Sequence, residues 1–445
     1  MTTGTTIPTV PRPAPVKLPT VAERTLGNGL RVLAVRRPGI PRFEARLHIP
    51  AAQLPGDDGS RRMVLAKALL SGTETRSSLE LAQDLQRLGG GLDTSIDADQ
   101  MVLFGSALAP NLASFLGLMA EVVTGATYPQ AEVHLERDRA AQEVLLARSQ
   151  PATIAREAIL ERIYGKHPYG RGLPPPDAVG KVTPAALRGF HGKRLAPDDA
   201  VLVLVGDFRA ATALDRAESA FGGWAKGGSG RGVAAPKRSS LNGSVLIDRP
   251  GAVQTNVRIG GVAPRRGDDD HPAFTLANLV FGGYFSSRLV ENIRERRGYT
   301  YSPGSVIQQH RSAAHVVVVA DVGTEVTGPA LVEMRYELGR IVATVAADDE
   351  LEAAKRYLAG TIALSTQTQA GLASYLGSLA VNGVGIEYLR DFPRTVAKLG
   401  AEEVRDAAWR YLAPRSLATV MVGDADRIQG AVSAFDDIEV VGGDA

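Results

Sequence analysis

The 445-residue chain contains no cysteine. That removes disulfides, thiolate metal sites and cysteine nucleophiles together, and fits a reducing compartment without requiring one. An excess of one charge is also missing: 50 Lys and Arg stand against 48 Asp and Glu, a net +2. Such a balance gives no long-range field suited to nucleic acid or an anionic membrane. Long apolar runs are absent too. The strongest, His315 to Ala320 (HVVVVA), falls far short of the roughly 18 to 20 residues that cross a bilayer. Neither nucleic acid nor a membrane is therefore expected as a partner. The first twenty residues hold five prolines and no apolar h-region, so residues 1–20 read as a disordered tail and a cytoplasmic location is the default expectation.

Several catalytic signatures are lacking. There is no G-x-S-x-G elbow, no phosphate-binding G-x-x-x-x-G-K-[ST] and no Rossmann turn; Gly89-Gly90-Gly91 is a bare triplet after a predicted helix. None of the seven histidines lies three or four residues from another, the spacing that puts two ligands on one helical face. His310 and His315, five apart at the entry to a valine-rich strand, are expected on opposite faces of it. No zinc site can be assembled locally.

What the chain does contain is a repeat. Lys181 to Asp207 (KVTPAALRGFHGKRLAPDDAVLVLVGD) and Lys398 to Asp424 (KLGAEEVRDAAWRYLAPRSLATVMVGD) share Lys, Leu-Ala-Pro and Val-Gly-Asp at a constant offset of 217. Each copy reads as a helix, a turn at Leu-Ala-Pro and a buried strand ending at Gly-Asp. An offset that halves the chain indicates a duplicated domain, and the length is itself too great for one ordinary core. The expected division is a domain over 21–225, a flexible Gly/Ser/basic linker over 226–240 and a second domain over 241–440.

Alternating segments predict strands at Leu30–Val35, Met101–Leu108 and Val316–Val322, and helices are expected at Arg61–Leu70, Leu79–Leu88, Ala131–Arg148 and Ser286–Arg296. Runs of strands with interspersed long helices predict an α+β fold: in each domain, helices cover one face of a mostly antiparallel sheet, and the other face needs a partner. Glu136 and Glu143, seven apart on one helix, share a side; they read either as metal-binding or acid/base carboxylates or as a solvated acidic stripe. Phe285 to Ser305 (FSSRLVENIRERRGYTYSPGS) combines a basic helix, Gly298 and an aromatic strand with Tyr299 and Tyr301. Taken alone, that pattern better fits Arg294 paired with a surface Glu and Tyr301 filling the core.

This last segment resembles the second-domain motif of the pitrilysin, insulin-degrading enzyme and mitochondrial processing peptidase family, the inverted zincins whose catalytic halves carry H-x-x-E-H. The resemblance extends to Thr25–Val32 (TLGNGLRV), Ser71-Gly72-Thr73, Gly165–Gly170 (GKHPYG) and Val203–Phe208 (VLVGDF). Aligned back from Gly72-Thr73, the H-x-x-E-H motif falls on Met63-Val64-Leu65-Ala66-Lys67. The resemblance thus implies that both histidine ligands and the glutamate base are replaced, at Met63, Lys67 and Ala66. The family's third ligand, a glutamate, falls on Glu143. Methionine is a weak donor and lysine repels a cation, so no metal is expected on this chain. Lys67 is expected to neutralise a buried Glu143 where the family holds its metal.

The resemblance also assigns Arg294 and Tyr301 as the pair that binds the substrate backbone beside the scissile bond. Arg294 is near a helix end, Gly298 allows a sharp turn, and Tyr301 is expected on the returning strand. A guanidinium fork and a phenol O–H held where charge develops on the tetrahedral oxygen stabilise the transition state. The implied role is a zinc-less substrate-binding subunit of a heterodimeric zinc metalloendopeptidase. It would be inactive alone, with zinc held by a homologous H-x-x-E-H partner and peptides as substrates. The alternatives are a non-catalytic scaffold or a peptide-binding module of the same fold.

Overall fold

The computed structural model of the protein describes residues 19–51, 56–227, 232–237 and 243–442. The expected tail therefore lies outside the described residues except for Pro19 and Thr20, and only part of the expected linker lies within them.

Two six-stranded mixed sheets form the frame. The first contains β1 (Val21–Thr25), β2 (Arg31–Arg36), β3 (Arg42–Pro50), β4 (Gly91–Ile96), β5 (Gln100–Leu108) and β6 (Val201–Gly206), in the order β1-β2-β6-β3-β5-β4. The second contains β7 (Ser244–Asp248), β8 (Gln254–Ala263), β9 (Gly304–Gln309), β10 (Ala314–Gly323), β11 (Ala418–Gly423) and β12 (Ile438–Val441), in the order β12-β7-β11-β8-β10-β9. Reading β7, β8, β9, β10 and β11 for β2, β3, β4, β5 and β6 makes the two orders identical apart from one edge strand. β6 and β11 stand 217 residues apart, as the repeat requires. Pairing is antiparallel except for β2 with β6 in one sheet and for β7 with β11 and β12 in the other.

The strand expectations for β2, β5 and β10 hold to within two residues, as do the helices Ser60–Ala68, Ser78–Arg87 and Gln130–Arg148. Ser77 and Glu80 close a capping box at the start of the second of these helices, which fixes its first turn.

Each sheet is covered on one face by helices of its own half. Phe115 of the helix Leu112–Gly125 meets Phe43 of β3 edge-on, with ring centroids 5.3 Å apart. The other face is covered by a helix from the other half: Gln369–Val381 packs on β3 and β6, and Pro151–Tyr164 packs on β8 and β11. The alternation along β6 shows the division. Leu202 and Leu204 join the core of the first half, while Val201, Val203 and Val205 join a core with Leu372, Leu376 and Leu379. A strand buried on both faces reads as a continuous apolar run, and β6 and β11 (VLVLVG and ATVMVG) are buried at every position.

The two crossing contacts solve the same steric problem in opposite ways. In one, a Cβ on Gly377 would stand 2.1 Å from His48 Nε2, so the strand supplies bulk and the helix supplies glycine. In the other, Gly260 of β8 lies beneath Ile159 and Ile163, so the strand supplies the glycine. His48 pairs with Val201 and Gly260 with Ala418, again 217 apart, so these are equivalent places in the duplicated sheet.

His310 and His315 depart from the expected opposite faces. β10 starts at Ala314, so His310 lies in the turn before it, and the rings come within 5.3 Å. The period of two applies only inside a strand. Both rings pack on Tyr164 of the first half, and Tyr164 Oη and His315 Nδ1 are hydrogen-bonded at 3.1 Å. Asp99 joins the same seam: it accepts from Tyr169 Oη at 2.7 Å and from the Arg311 backbone N–H at 2.9 Å. Burial pushes His315 down to about 3 and His48 down to about 4, and lowers His310.

Candidate substrate-carbonyl site

The segment predicted as one helix over Ser286–Arg296 is a chain of unlike turns. A π-helical stretch, Leu279–Gly283, precedes it. A single α-turn, Arg288–Val290, then runs into a second π-helical stretch, Glu291–Arg296. Such wide turns are rare and recur at functional sites. Two buried polar anchors hold the segment. Arg288 makes a forked ion pair with Glu350 at 2.5 and 2.6 Å, and Asn292 Nδ2 donates to Glu333 and Glu337 at 3.0 and 2.9 Å. Gly298 then takes φ +68°, a left-handed conformation that turns the chain out of the helix.

These turns bring Arg294 and Tyr301 together, with the Arg294 Cζ 5.3 Å from the Tyr301 ring centroid. Tyr301 is not on the returning strand, as the spacing predicts, but in a bend three residues ahead of β9. Pro303 delays the start of the ladder, since it has no N–H to donate. Thr300 Oγ1 donates to the Asp321 carbonyl at 2.6 Å and ties the bend to β10. Tyr301 does not fill the core: it is 86% exposed, and its hydroxyl has no hydrogen-bond partner among the described residues. Arg294 does touch a surface carboxylate, most closely through Nε, 3.2 Å from Glu295 Oε1. Its two terminal nitrogens make no hydrogen bond among the described residues.

The pair borders a cleft of about 620 Å³ whose lining includes Gln254, Glu295, Tyr299 and Asp321. The Asp321 carboxylate is already engaged, accepting from Asn256 at 2.6 Å and from buried Arg258 at 2.8 Å on the same oxygen. The cleft therefore offers a guanidinium fork and a phenol O–H as uncommitted donors, and an acceptor such as a peptide carbonyl is the group they complement.

The other predicted location lies in the first half. Met63, Ala66 and Lys67 occupy the helix Ser60–Ala68, and Lys67 Nζ stands 2.8 Å from Glu143 Oε2 of the helix Gln130–Arg148. The expected ion pair is present, but Glu143 is not buried: its side chain is 53% exposed. Water rather than Lys67 supplies most of its solvation, and the pair is of the weak surface kind. Glu136 does not join it; it pairs with Arg139 one turn on, at 3.0 Å. The donor set at these positions does not fit zinc. Methionine, alanine and a lysine already engaged with the remaining carboxylate leave no three ligands, and among the described residues no cluster of histidine and carboxylate side chains could hold a metal ion.

The family model described as "Insulinase (Peptidase family M16)" matches residues 64–177, and "Peptidase M16 inactive domain" matches residues 181–358. The chain belongs to peptidase family M16, the pitrilysin family. An uncharacterized zinc protease of Mycobacterium tuberculosis is 28% identical over 417 residues, covering 89% of this chain and 92% of the relative. Another, from Streptomyces coelicolor, is 23% identical over 414 residues, covering 90% and 89%. A solved peptidase M16 inactive domain from Pseudomonas fluorescens superposes with a TM-score of 0.85 at 24% identity, covering 91% of this chain and 98% of that one. A protease from Helicobacter pylori gives 0.84 at 19%, covering 92% and 100%. No helix among the described residues is long and apolar enough to cross a membrane.

One residue at the site went unread in the sequence. Phe285 opens the recognised segment, yet its ring, not only that of Tyr301, lies against Arg294. Its position in the motif was the available signal; nothing in the residue type distinguished it from a core phenylalanine.

Proposed function

We propose that this chain is the zinc-less, substrate-binding subunit of a heterodimeric zinc metalloendopeptidase. It comprises domains over 21–225 and 241–440 joined through 226–240. Arg294 and Tyr301 hydrogen-bond the carbonyl of the bond to be cut. The metal and the water-activating glutamate belong to a homologous H-x-x-E-H partner, so the chain alone cuts nothing. The observation that carries this reading is the pair of uncommitted donors, fork and phenol, on one cleft of a chain whose own metal motif is replaced. As the carbonyl becomes tetrahedral its oxygen gains charge, and donors already in place strengthen their bonds without reorganising. A peptide backbone presents such a carbonyl whatever its side chains, so unfolded peptides of varied sequence are the expected substrates.

The test is cleavage of a mixed peptide pool by complexes captured from native lysate on the tagged chain, comparing wild type with Tyr301→Phe at equal partner recovery. Chelator-sensitive cleavage that slows about a hundredfold or more in the variant is the expected result. A captured partner with no cleavage, or a variant that cuts as well as wild type, makes the chain a scaffold or a peptide receptor.

A further inference from the structure

Nothing in the chemistry proposed above uses Phe285. It stands three residues before the first residue of the α-turn and is 61% exposed. An exposed aromatic ring ordinarily has no fixed company, but this one has the Arg294 Cζ 4.6 Å from its centroid, nearer than the 5.3 Å to the Tyr301 ring. Three parts of the segment create the arrangement. Helical side chains lean toward the helix N-terminus, so Arg294 reaches back along its own helix to Phe285. The turn at Gly298 brings Tyr301 to the same guanidinium. The guanidinium is thereby shared between two aromatic rings, each attracting its charge through the ring quadrupole.

A free arginine side chain samples many rotamers. Among the described residues its one ion pair is with Glu295, closest at Nε, a carboxylate that is itself half exposed. That contact alone cannot orient the two terminal nitrogens, and the rings are what remains to do so. We propose that Phe285 is a positioning residue: with the Tyr301 ring it pins the Arg294 guanidinium and leaves the terminal N–H groups pointed at the cleft. The catalytic consequence rests on the shared-site reading above; the pinning itself does not.

The two are separated by measuring them differently. In the full chain labelled with ¹⁵N-arginine, the Nε–Hε signal of Arg294, identified by its loss in Arg294→Lys, reports side-chain order. It is expected to be rigid in wild type, to fall into the flexible range, below about 0.6 in order parameter, in Phe285→Leu, and to return in Phe285→Tyr, which restores a ring. In complexes captured on the chain, Phe285→Leu is expected to lower kcat by roughly tenfold to a hundredfold with KM little changed, and Phe285→Tyr to restore it. An unchanged order parameter in Phe285→Leu overturns the pinning. A freed Arg294 with wild-type kcat, while Tyr301→Phe is slow, overturns the positioning role. If Tyr301→Phe is as fast as wild type, the shared-site reading fails instead, and the order parameter alone decides whether Phe285 pins Arg294.

Discussion

Lys67 Nζ lies 2.8 Å from Glu143 Oε2, joining the helices Ser60–Ala68 and Gln130–Arg148 at the positions that the family resemblance aligns with its metal motif. The contact is half exposed, so its contribution is that of a surface pair, about 0–1 kcal/mol. The pair is therefore not a strong structural element of the fold.

A double-mutant cycle with Lys67→Met and Glu143→Gln should therefore give a coupling of about 0.2–1 kcal/mol in urea unfolding, decreasing with added salt. A coupling of about 3 kcal/mol or more would belong to a buried pair and would contradict the observed exposure.

Restoring the motif is the complementary test. The triple variant Met63→His, Ala66→Glu, Lys67→His supplies two ligands one helical turn apart and releases Glu143 as a third. It is expected to retain close to one zinc per chain after exhaustive dialysis, while wild type retains none, as read by elemental analysis. Zinc retained by the unmodified chain would refute the degenerate-site reading.

The seam between the halves makes a steric prediction. Gly377→Ala places a methyl group against His48 Nε2, and overpacking of this kind costs about 1–3 kcal/mol. His48→Ala should recover most of that loss in the double variant, whereas the same change in wild type should destabilise by leaving a cavity. Thermal unfolding of the four proteins decides it.

The buried histidines set a pH dependence. Burial holds His48 near 4 and His315 near 3 in the folded chain, against about 6.5 when unfolded. Below the unfolded value the unfolded chain binds protons that the folded chain does not, so stability is full above about pH 6.5 and is lost as pH falls toward 4. His271, likewise pushed down to about 4 by burial, adds to the same slope. Urea midpoints measured from pH 7.5 to 4.5 should fall less steeply in His48→Gln and His315→Gln than in wild type. Equal slopes would mean that these rings reach water in the folded chain.

Much of this protein is legible in one sequence because its information is local or repeated. The offset of 217, the period-two strands and the helix stripes depend only on neighbours along the chain and on which face meets solvent. They determine the duplicated α+β architecture and most element types. The segment aligned with the family's metal motif and the Arg294–Gly298–Tyr301 spacing are equally local, since each is a short run of residue types. What periodicity cannot state is the partner a buried face meets. That Val201, Val203 and Val205 lie under Leu372 and Leu376 of the other half, or that Gly377 is there to receive His48, depends on residues hundreds of positions apart and on the packing of whole layers. The same holds at finer scale for the meeting of His310 with His315, for the exposure of Glu143 and for the two rings against Arg294. Each follows from where a turn begins or how far a helix stands from solvent. Those are settled by the free energy of the assembled fold rather than by any segment within it.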